Sequence, residues 1–145
     1  MPKVSAGPSF PVQPVWLPAH VVALLCGRAF EVLRVDDQPA AAVLEAIGPA
    51  CGPVIATRLG YHDFLLPPGE FLRQHVPRAP GVRPMPNETR VDVPPLTASP
   101  HEGIHWLVPP GTGATDLSAV TTALAGHFAH GGPARHRAPP RRDRR

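Results

Sequence analysis

Proline divides this chain into short segments. There are 22 prolines among 145 residues, and they fall between the apolar segments and rarely inside them. Because proline has no backbone N–H to donate and its ring fixes φ, a long helix or a central strand cannot pass through it. Hydrophobic residues make up 43% of the chain, which is enough for a modest core. The sequence therefore predicts a compact domain of short elements joined by proline-stiffened loops.

The length suits a single domain. We predict a Pro-rich flexible lead over residues 1–14, one α/β domain over 15–131 and a disordered Arg/Pro-rich tail over 132–145. No apolar run is long enough to cross a bilayer, and the N-terminal residues do not resemble a secretory signal. Two cysteines, Cys26 and Cys51, are too few for a disulfide scaffold. We expect both to be reduced and buried in a cytoplasmic protein, with a single disulfide as the alternative.

The apolar pattern predicts an alternation of helices and strands. Helical spacing predicts helices over about 17–26, 38–48 and 115–130, the last capped by Thr115 or Asp116. Strand formers predict strands over 29–36, 53–57, 62–67, 90–93 and 104–108, with a helical turn at Phe71 and Leu72 and a loop over 77–89. This order predicts an α/β (α+β) fold with a small mixed or antiparallel sheet flanked by helices.

Residues 91–110 carry the most specific pattern of the chain. A short strand runs into Pro94-Pro95, a polar loop follows, and after Gly103 the chain returns as a second strand that contains Trp106. Proline stops the first strand, and glycine allows the reversal before the second. This pattern resembles the N-terminal domain of bifunctional DNA primase/polymerases of the archaeo-eukaryotic primase type. In that family a strand, a PPS motif, a His-containing loop, a Gly and an aromatic strand follow one another.

The match is incomplete. His101 stands in the loop as the family pattern requires, but Leu96 replaces the Ser and Ile104 replaces the aromatic residue. The resemblance covers about residues 28–128 and implies a primase/polymerase-like palm. It also implies nucleotidyl transfer, which needs Mg²⁺ or Mn²⁺ held by two or three carboxylates.

The resemblance supplies too few of these carboxylates. Asp36 fits the second acid of the family's D-x-D or D-x-E motif, but Arg34 stands where the first acid should be. A guanidinium cannot ligate a cation and would repel it. Gly81-Val82-Arg83-Pro84 stands where the third acid is expected. We therefore expect a retained fold that has lost catalysis and needs no cofactor.

A second family motif, a small residue followed by a His that contacts phosphate, resembles Gly60-Tyr61-His62. The resemblance thus implies Asp36 as a residual catalytic residue and Arg34 and His62 as nucleotide-binding residues. The residues alone allow plainer interpretations. Arg34 and Asp36 would form a salt bridge at a strand end, and His62 would be a hydrogen-bonded structural residue.

Other residues carry weaker signals. His101 and His105, with the two cysteines, lack the paired spacing of a zinc site, so we predict no metal site. Trp106 is predicted to be a core residue that shares one strand face with Ile104 and Val108. Its alternative use is as a platform on which a base stacks.

The charge is concentrated at the C-terminus. The chain carries +3 overall, whereas residues 133–145 carry six Arg and one Asp, so the remainder carries −2. Such a tail can bind DNA or RNA without sequence preference, or can simply be a solvated terminus. The predicted nucleic-acid-binding residues are Arg135, Arg137, Arg141, Arg142, Arg144 and Arg145.

These patterns lead to three hypotheses. The first is a catalytically degenerate primase/polymerase-like domain that binds nucleotide or nucleic acid in replication or repair. The second is a protein-interaction or regulatory module on the same fold, without nucleotide binding and with an unknown protein partner. The third is an active DNA primase/polymerase in which Asp36, Asp37 or Asp92 binds metal. None of the three involves a membrane.

Overall fold

A five-stranded antiparallel sheet forms the centre of the molecule. The computed structural model describes residues 16–48, 51–111 and 113–129. In chain order its elements are β1 (Val22–Leu25), β2 (Glu31–Asp36), α1 (Asp37–Ile47), β3 (Val54–Thr57), β4 (Tyr61–Leu66), α2 (Glu70–Arg73), β5 (Val82–Pro84), β6 (Arg90–Val93), β7 (Ile104–Val108) and α3 (Leu117–Ala129). The large sheet has the order β5-β2-β4-β3-β7, and β1 and β6 form a second sheet. Every strand pairing is antiparallel, which confirms the predicted fold class.

Helices α1 and α3 cover one face of the large sheet. Alternation along β2 turns Leu33 and Val35 toward the helices. There they pack in one cluster with Val43 of α1 and with Leu117 and Leu124 of α3. The apolar face of each helix is thereby removed from water, which is the main source of stability for such short elements.

The two-stranded sheet covers part of the opposite face. Val32 of β2, Ile55 of β3 and Leu65 of β4 pack there against Val91 and Val93 of β6, and all five are buried. Because side chains alternate along a strand, the large sheet separates two apolar clusters. The second cluster fills only one end of its face, and the other end carries polar side chains.

Most of the predicted elements are confirmed within a few residues. The predicted helices at 38–48 and 115–130 correspond to α1 and α3, and the turn at Phe71 and Leu72 lies in α2. Asp116 Oδ1 accepts a hydrogen bond from the backbone N–H of Ser118 at 3.0 Å, as an N-terminal cap does. Both cysteines are free and buried, as expected.

The predicted helix over 17–26 is wrong. Val22–Leu25 is a strand that pairs with β6, with Val22 opposite Val93 and Leu25 opposite Arg90. Four apolar residues fit the helical and the strand period alike, so the pairing partner decides between them. Gly27, at a φ of +101°, then turns the chain back toward β2.

The predicted loop over 77–89 contains a strand. Val82–Pro84 is β5, which pairs with β2 at the edge of the large sheet. Pro84 is tolerated at this edge position, where a missing backbone N–H costs little.

Strands β6 and β7 do not pair with each other. The first belongs to the small sheet and the second pairs with β3. A register shift after Trp106 also separates the residues predicted to share one face. Ile104 and Trp106 pack against the second cluster, whereas Val108 packs against the first. The indole of Trp106 instead connects β7 to the residue that follows β6, since its Nε1–H donates to the carbonyl of Pro94 at 2.8 Å.

Within the residues that the structure describes, none of the helices is both long and apolar enough to cross a membrane.

Candidate functional site

One end of the large sheet carries a set of polar side chains on a single face. Strands β2, β4 and β5 lie side by side here, and alternation places five polar residues on the face opposite the helices. We call this group the polar sheet end; its members are Arg34, Asp36, Tyr61, Asp63 and Arg83. Arg34 is the register partner of Asp63 on one side and of Arg83 on the other. The group therefore forms one continuous patch across three strands.

An internal ion pair lies at the centre of the patch. The guanidinium of Arg34 donates from Nε to Asp63 Oδ1 at 2.8 Å and from Nη2 to Asp63 Oδ2 at 2.9 Å. The side chains are 18% and 2% exposed, so water screens this bidentate pair weakly. The guanidinium also lies 4.0 Å from the centre of the Tyr61 ring, a cation–π contact.

Burial and hydrogen bonding shift the pKa values of this pair. Burial raises the pKa of Asp63 above its ordinary value, and the two hydrogen bonds from Arg34 oppose that rise. The hydrogen bond to Asp63 raises the pKa of Arg34, so the guanidinium stays charged. Burial likewise raises the pKa of Tyr61, which keeps its hydroxyl protonated. The patch thus holds a fixed positive charge beside a carboxylate that burial disfavours.

Asp36 lies at the rim of the patch. Its carboxylate is 3.8 Å from Nη1 of Arg83, and both side chains are about half exposed. The backbone N–H of Asp36 donates to the carbonyl of Gly81 at 2.8 Å, which fixes the start of β5 beside it. A side chain at Gly81 would clash, since a Cβ there would lie 2.5 Å from Asp36 Oδ2. The predicted Arg34–Asp36 salt bridge is therefore replaced by two others, Arg34–Asp63 and Asp36–Arg83.

His62 lies on the other face of the sheet. It pairs in register with Val35, whose side chain packs against the helices. Its Nδ1 is 2.9 Å from Oδ1 of Asp37 in the first turn of α1, and its side chain is 17% exposed. This contact ties α1 to β4, as the structural interpretation of His62 expects. His62 and Asp36 are thus separated by the sheet, and the predicted grouping of Asp36 with His62 is not formed.

The arrangement of the polar sheet end also shows which carboxylates are available to a metal ion. Arg34 and Arg83 are direct register partners. Arg34 stands where the resemblance expects the first acid, and Arg83 belongs to the segment Gly81-Val82-Arg83-Pro84 in which it expects the third. In the described ranges 16–48, 51–111 and 113–129, no three His, Cys, Asp or Glu residues are grouped so that they could hold a metal ion. Asp63 faces a guanidinium, and Asp36 faces another. Asp92 of β6 also acts electrostatically on Arg34 and Tyr61. The patch therefore carries no net positive charge, and an anion would have to compete with a carboxylate for a guanidinium. Among the described residues it also offers no group of three ligands to a divalent cation.

Sequence reasoning found only part of this patch. Arg34 and Asp36 were predicted as site residues, but Asp63, Tyr61 and Arg83 were not. Strand alternation carried the signal for Asp63, because a strand that points His62 to one face must point Asp63 to the other. Arg83 could not be placed, since its strand has only three residues.

The predicted arginines of the tail lie outside the described residues; they are Arg135, Arg137, Arg141, Arg142, Arg144 and Arg145. The ends of the chain predicted as a flexible lead, 1–14, and as a disordered tail, 132–145, also lie outside them.

No protein-family model, curated protein or solved structure matches this chain.

Proposed function

We propose that this protein is a primase/polymerase-like domain that has lost metal-dependent nucleotidyl transfer and binds the phosphates of a nucleotide or nucleic acid directly. The observation that carries the proposal is the Arg34–Arg83 register pair on one sheet face. In the resembled family a metal-binding carboxylate stands in place of Arg34, and a second one is expected within the segment that contains Arg83. Replacing an acid by an arginine puts a cation on the protein itself, and that cation can meet a phosphate without a bridging ion.

The two arginines have different roles in this proposal. Arg34 is already held by Asp63, which neutralises its charge, so it supports the surface from behind and does not bind the phosphate itself. Arg83 is half exposed and only loosely held by Asp36, at 3.8 Å, so it makes the first contact with a phosphate. An arriving phosphate displaces Asp36 from Arg83 and gains the charge-assisted hydrogen bonds that Asp36 makes poorly.

Asp36 gives a test that separates direct binding from metal-dependent binding. The full chain is titrated with dTTP and with inorganic pyrophosphate by calorimetry, in EDTA and in Mn²⁺. Under the proposal, Asp36→Asn tightens binding by about threefold in EDTA, because one partly exposed competing charge is removed. Glu45→Gln, at an exposed position on α1, is the matched control and leaves affinity unchanged.

The opposite result would overturn the proposal. If binding requires Mn²⁺ and Asp36→Asn abolishes it, the carboxylate is a metal ligand and the active-polymerase hypothesis is favoured. If neither ligand binds in either buffer, phosphate recognition is excluded.

Exposed leucines favour a second candidate, a protein-interaction module on the same fold. Leu72 of α2 is 92% exposed and Leu59 of the β3–β4 turn is 76% exposed. A contiguous apolar patch is typical of surfaces that meet a protein partner, so this candidate requires the two leucines to belong to one surface. The titration above discriminates the two functions, since an interaction module binds neither dTTP nor pyrophosphate.

A further inference from the structure

The segment between α2 and β6 forms a depression beside the polar sheet end. Residues 75–80 and 82–86 line an open volume of about 810 Å³ without help from any other element. Four of these residues are prolines, namely Pro77, Pro80, Pro84 and Pro86, and Met85 adds a further apolar side chain. Because proline fixes φ, the wall of this depression is held in shape before a ligand arrives.

The depression carries positive charge that is only partly neutralised, since Arg83 lies 3.8 Å from the carboxylate of Asp36. Its charged or titratable lining residues are His75, Arg78 and Arg83, and no carboxylate lines it. Arg78 is exposed and forms no hydrogen bond or ion pair with the rest of the described chain. By contrast, the exposed Arg28 is paired with Glu88 at 3.3 Å. Arg78 is therefore available to a ligand.

Arg83 connects the depression with the polar sheet end. Arg83 lines the depression and also belongs to the polar sheet end. The accessible cations of this surface are therefore Arg78 and Arg83, since Arg34 is held by Asp63. Two separated arginines along an open surface match a ligand with more than one phosphate along its length.

We propose that the depression is the binding surface for single-stranded nucleic acid. The proposal rests on the proposed function and extends it from a phosphate to a strand. Arg78 and Arg83 contact successive backbone phosphates, and the prolines and Met85 give sugars and bases an apolar surface. Because the proposed polar contacts are to phosphates, which are the same at every nucleotide, recognition is independent of sequence.

The test is fluorescence anisotropy of labelled oligo(dT) with the full chain over a range of salt concentrations. Arg78→Gln and Arg83→Gln are compared with Arg28→Gln, a matched control at an exposed, ion-paired arginine. We expect each of the first two variants to weaken binding about fivefold and to reduce the slope of log affinity against log salt by about one. We expect Arg28→Gln to leave both unchanged. Circular dichroism confirms that the variants remain folded.

Four results would overturn the inference. If the protein binds oligo(dT) but Arg78→Gln and Arg83→Gln behave like Arg28→Gln, the strand lies elsewhere, and the proposed function stands. If it binds dTTP or pyrophosphate but no oligonucleotide, the depression is not a strand site, and again the proposed function stands. If it binds none of these, both fail. A duplex bound with the same dependence on Arg78 would contradict the commitment to a single strand.

Discussion

At the scale of single residues, the Arg34–Asp63 pair is the most demanding feature of the molecule. Asp63 is 2% exposed, so its carboxylate is tolerated mainly because the guanidinium meets both oxygens. We predict that Arg34→Met destabilises the protein by about 3 kcal/mol at neutral pH, because it leaves a buried charge without a partner. The double variant Arg34→Met/Asp63→Leu should regain all but about 1 kcal/mol. Urea unfolding measures both values, and a double variant no more stable than the single one would contradict this account.

The stability lost in Arg34→Met should also depend on pH. Burial raises the pKa of Asp63 above its ordinary value of 3.8, and the loss of Arg34 removes what opposes that rise. A carboxyl whose pKa is raised by folding favours the folded state below its ordinary pKa, and this contribution is lost as the pH rises through the raised value. The penalty of Arg34→Met should therefore shrink as the pH falls toward 3.8. Urea unfolding across this pH range should show no such recovery when Asp63 is also replaced by Leu.

The sequence identified only two of the five residues of the polar sheet end. The D-x-D resemblance directed attention to Arg34 and Asp36, and both do lie in the patch. Their partners Asp63 and Arg83 come from other strands, and register decides which residues meet across strands. Register depends on the tertiary packing of the whole sheet, which one segment of sequence does not encode.

At the scale of elements, Gly81 sets how closely β5 approaches β2. Its φ is +73°, and a Cβ there would meet the carboxylate of Asp36. Gly60 has a similar φ of +97° but open space around its Cβ position. We predict that both Gly→Ala variants lose stability through backbone strain, and that Gly81→Ala loses about 1 kcal/mol more because Asp36 must move.

Thermal and urea unfolding of the two glycine variants isolate this contact. Equal losses would show that Asp36 moves freely, and that the glycine at position 81 serves backbone conformation alone. A larger loss in Gly81→Ala, together with altered phosphate binding, would link the strand connection to the polar sheet end.

The elements that sequence predicted well are those with enough residues to show a period. Helices α1 and α3 span 11 and 13 residues, and their apolar spacing identified them. Strands β1 and β5 span 4 and 3 residues, which is too short for any period to be decisive. β1 is a strand because it pairs with β6, and β5 is a strand because it pairs with β2. The local sequence does not show which neighbouring strand a segment will pair with.

At the scale of the whole molecule, each apolar layer contains one buried thiol. Cys51 belongs to the cluster under the helices, and Cys26 belongs to the cluster under the small sheet. We predict that both resist a thiol reagent in the native state, and that Cys26 reacts first in moderate urea. The small sheet has two strands and forms the smaller cluster, so it should open at lower free energy. Burial also raises the pKa of Cys51, which leaves less reactive thiolate.

The single-thiol variants Cys26→Ser and Cys51→Ser assign the two reaction rates. Equal rates that follow global unfolding would show that the two layers open together, contrary to this prediction.

Fold class was the level at which sequence reasoning was most successful. Alternating apolar runs and helical periods were enough to predict an α+β molecule with a sheet flanked by helices. The separation of β6 from β7 into two sheets was not predicted, because the Pro94-Pro95 segment between them reads locally as a simple reversal. The hydrogen bond from Trp106 to Pro94 binds the segments together without any strand pairing.

The guanidinium that neutralises Asp63 is part of the polypeptide. A dissociable counter-ion would leave when its concentration in the surroundings falls, whereas Arg34 belongs to the same chain as Asp63 and cannot dissociate. The neutralisation of Asp63 therefore does not depend on the concentration of any ion around the protein. A domain built this way can be diluted or exposed to chelators without losing the cation at its centre.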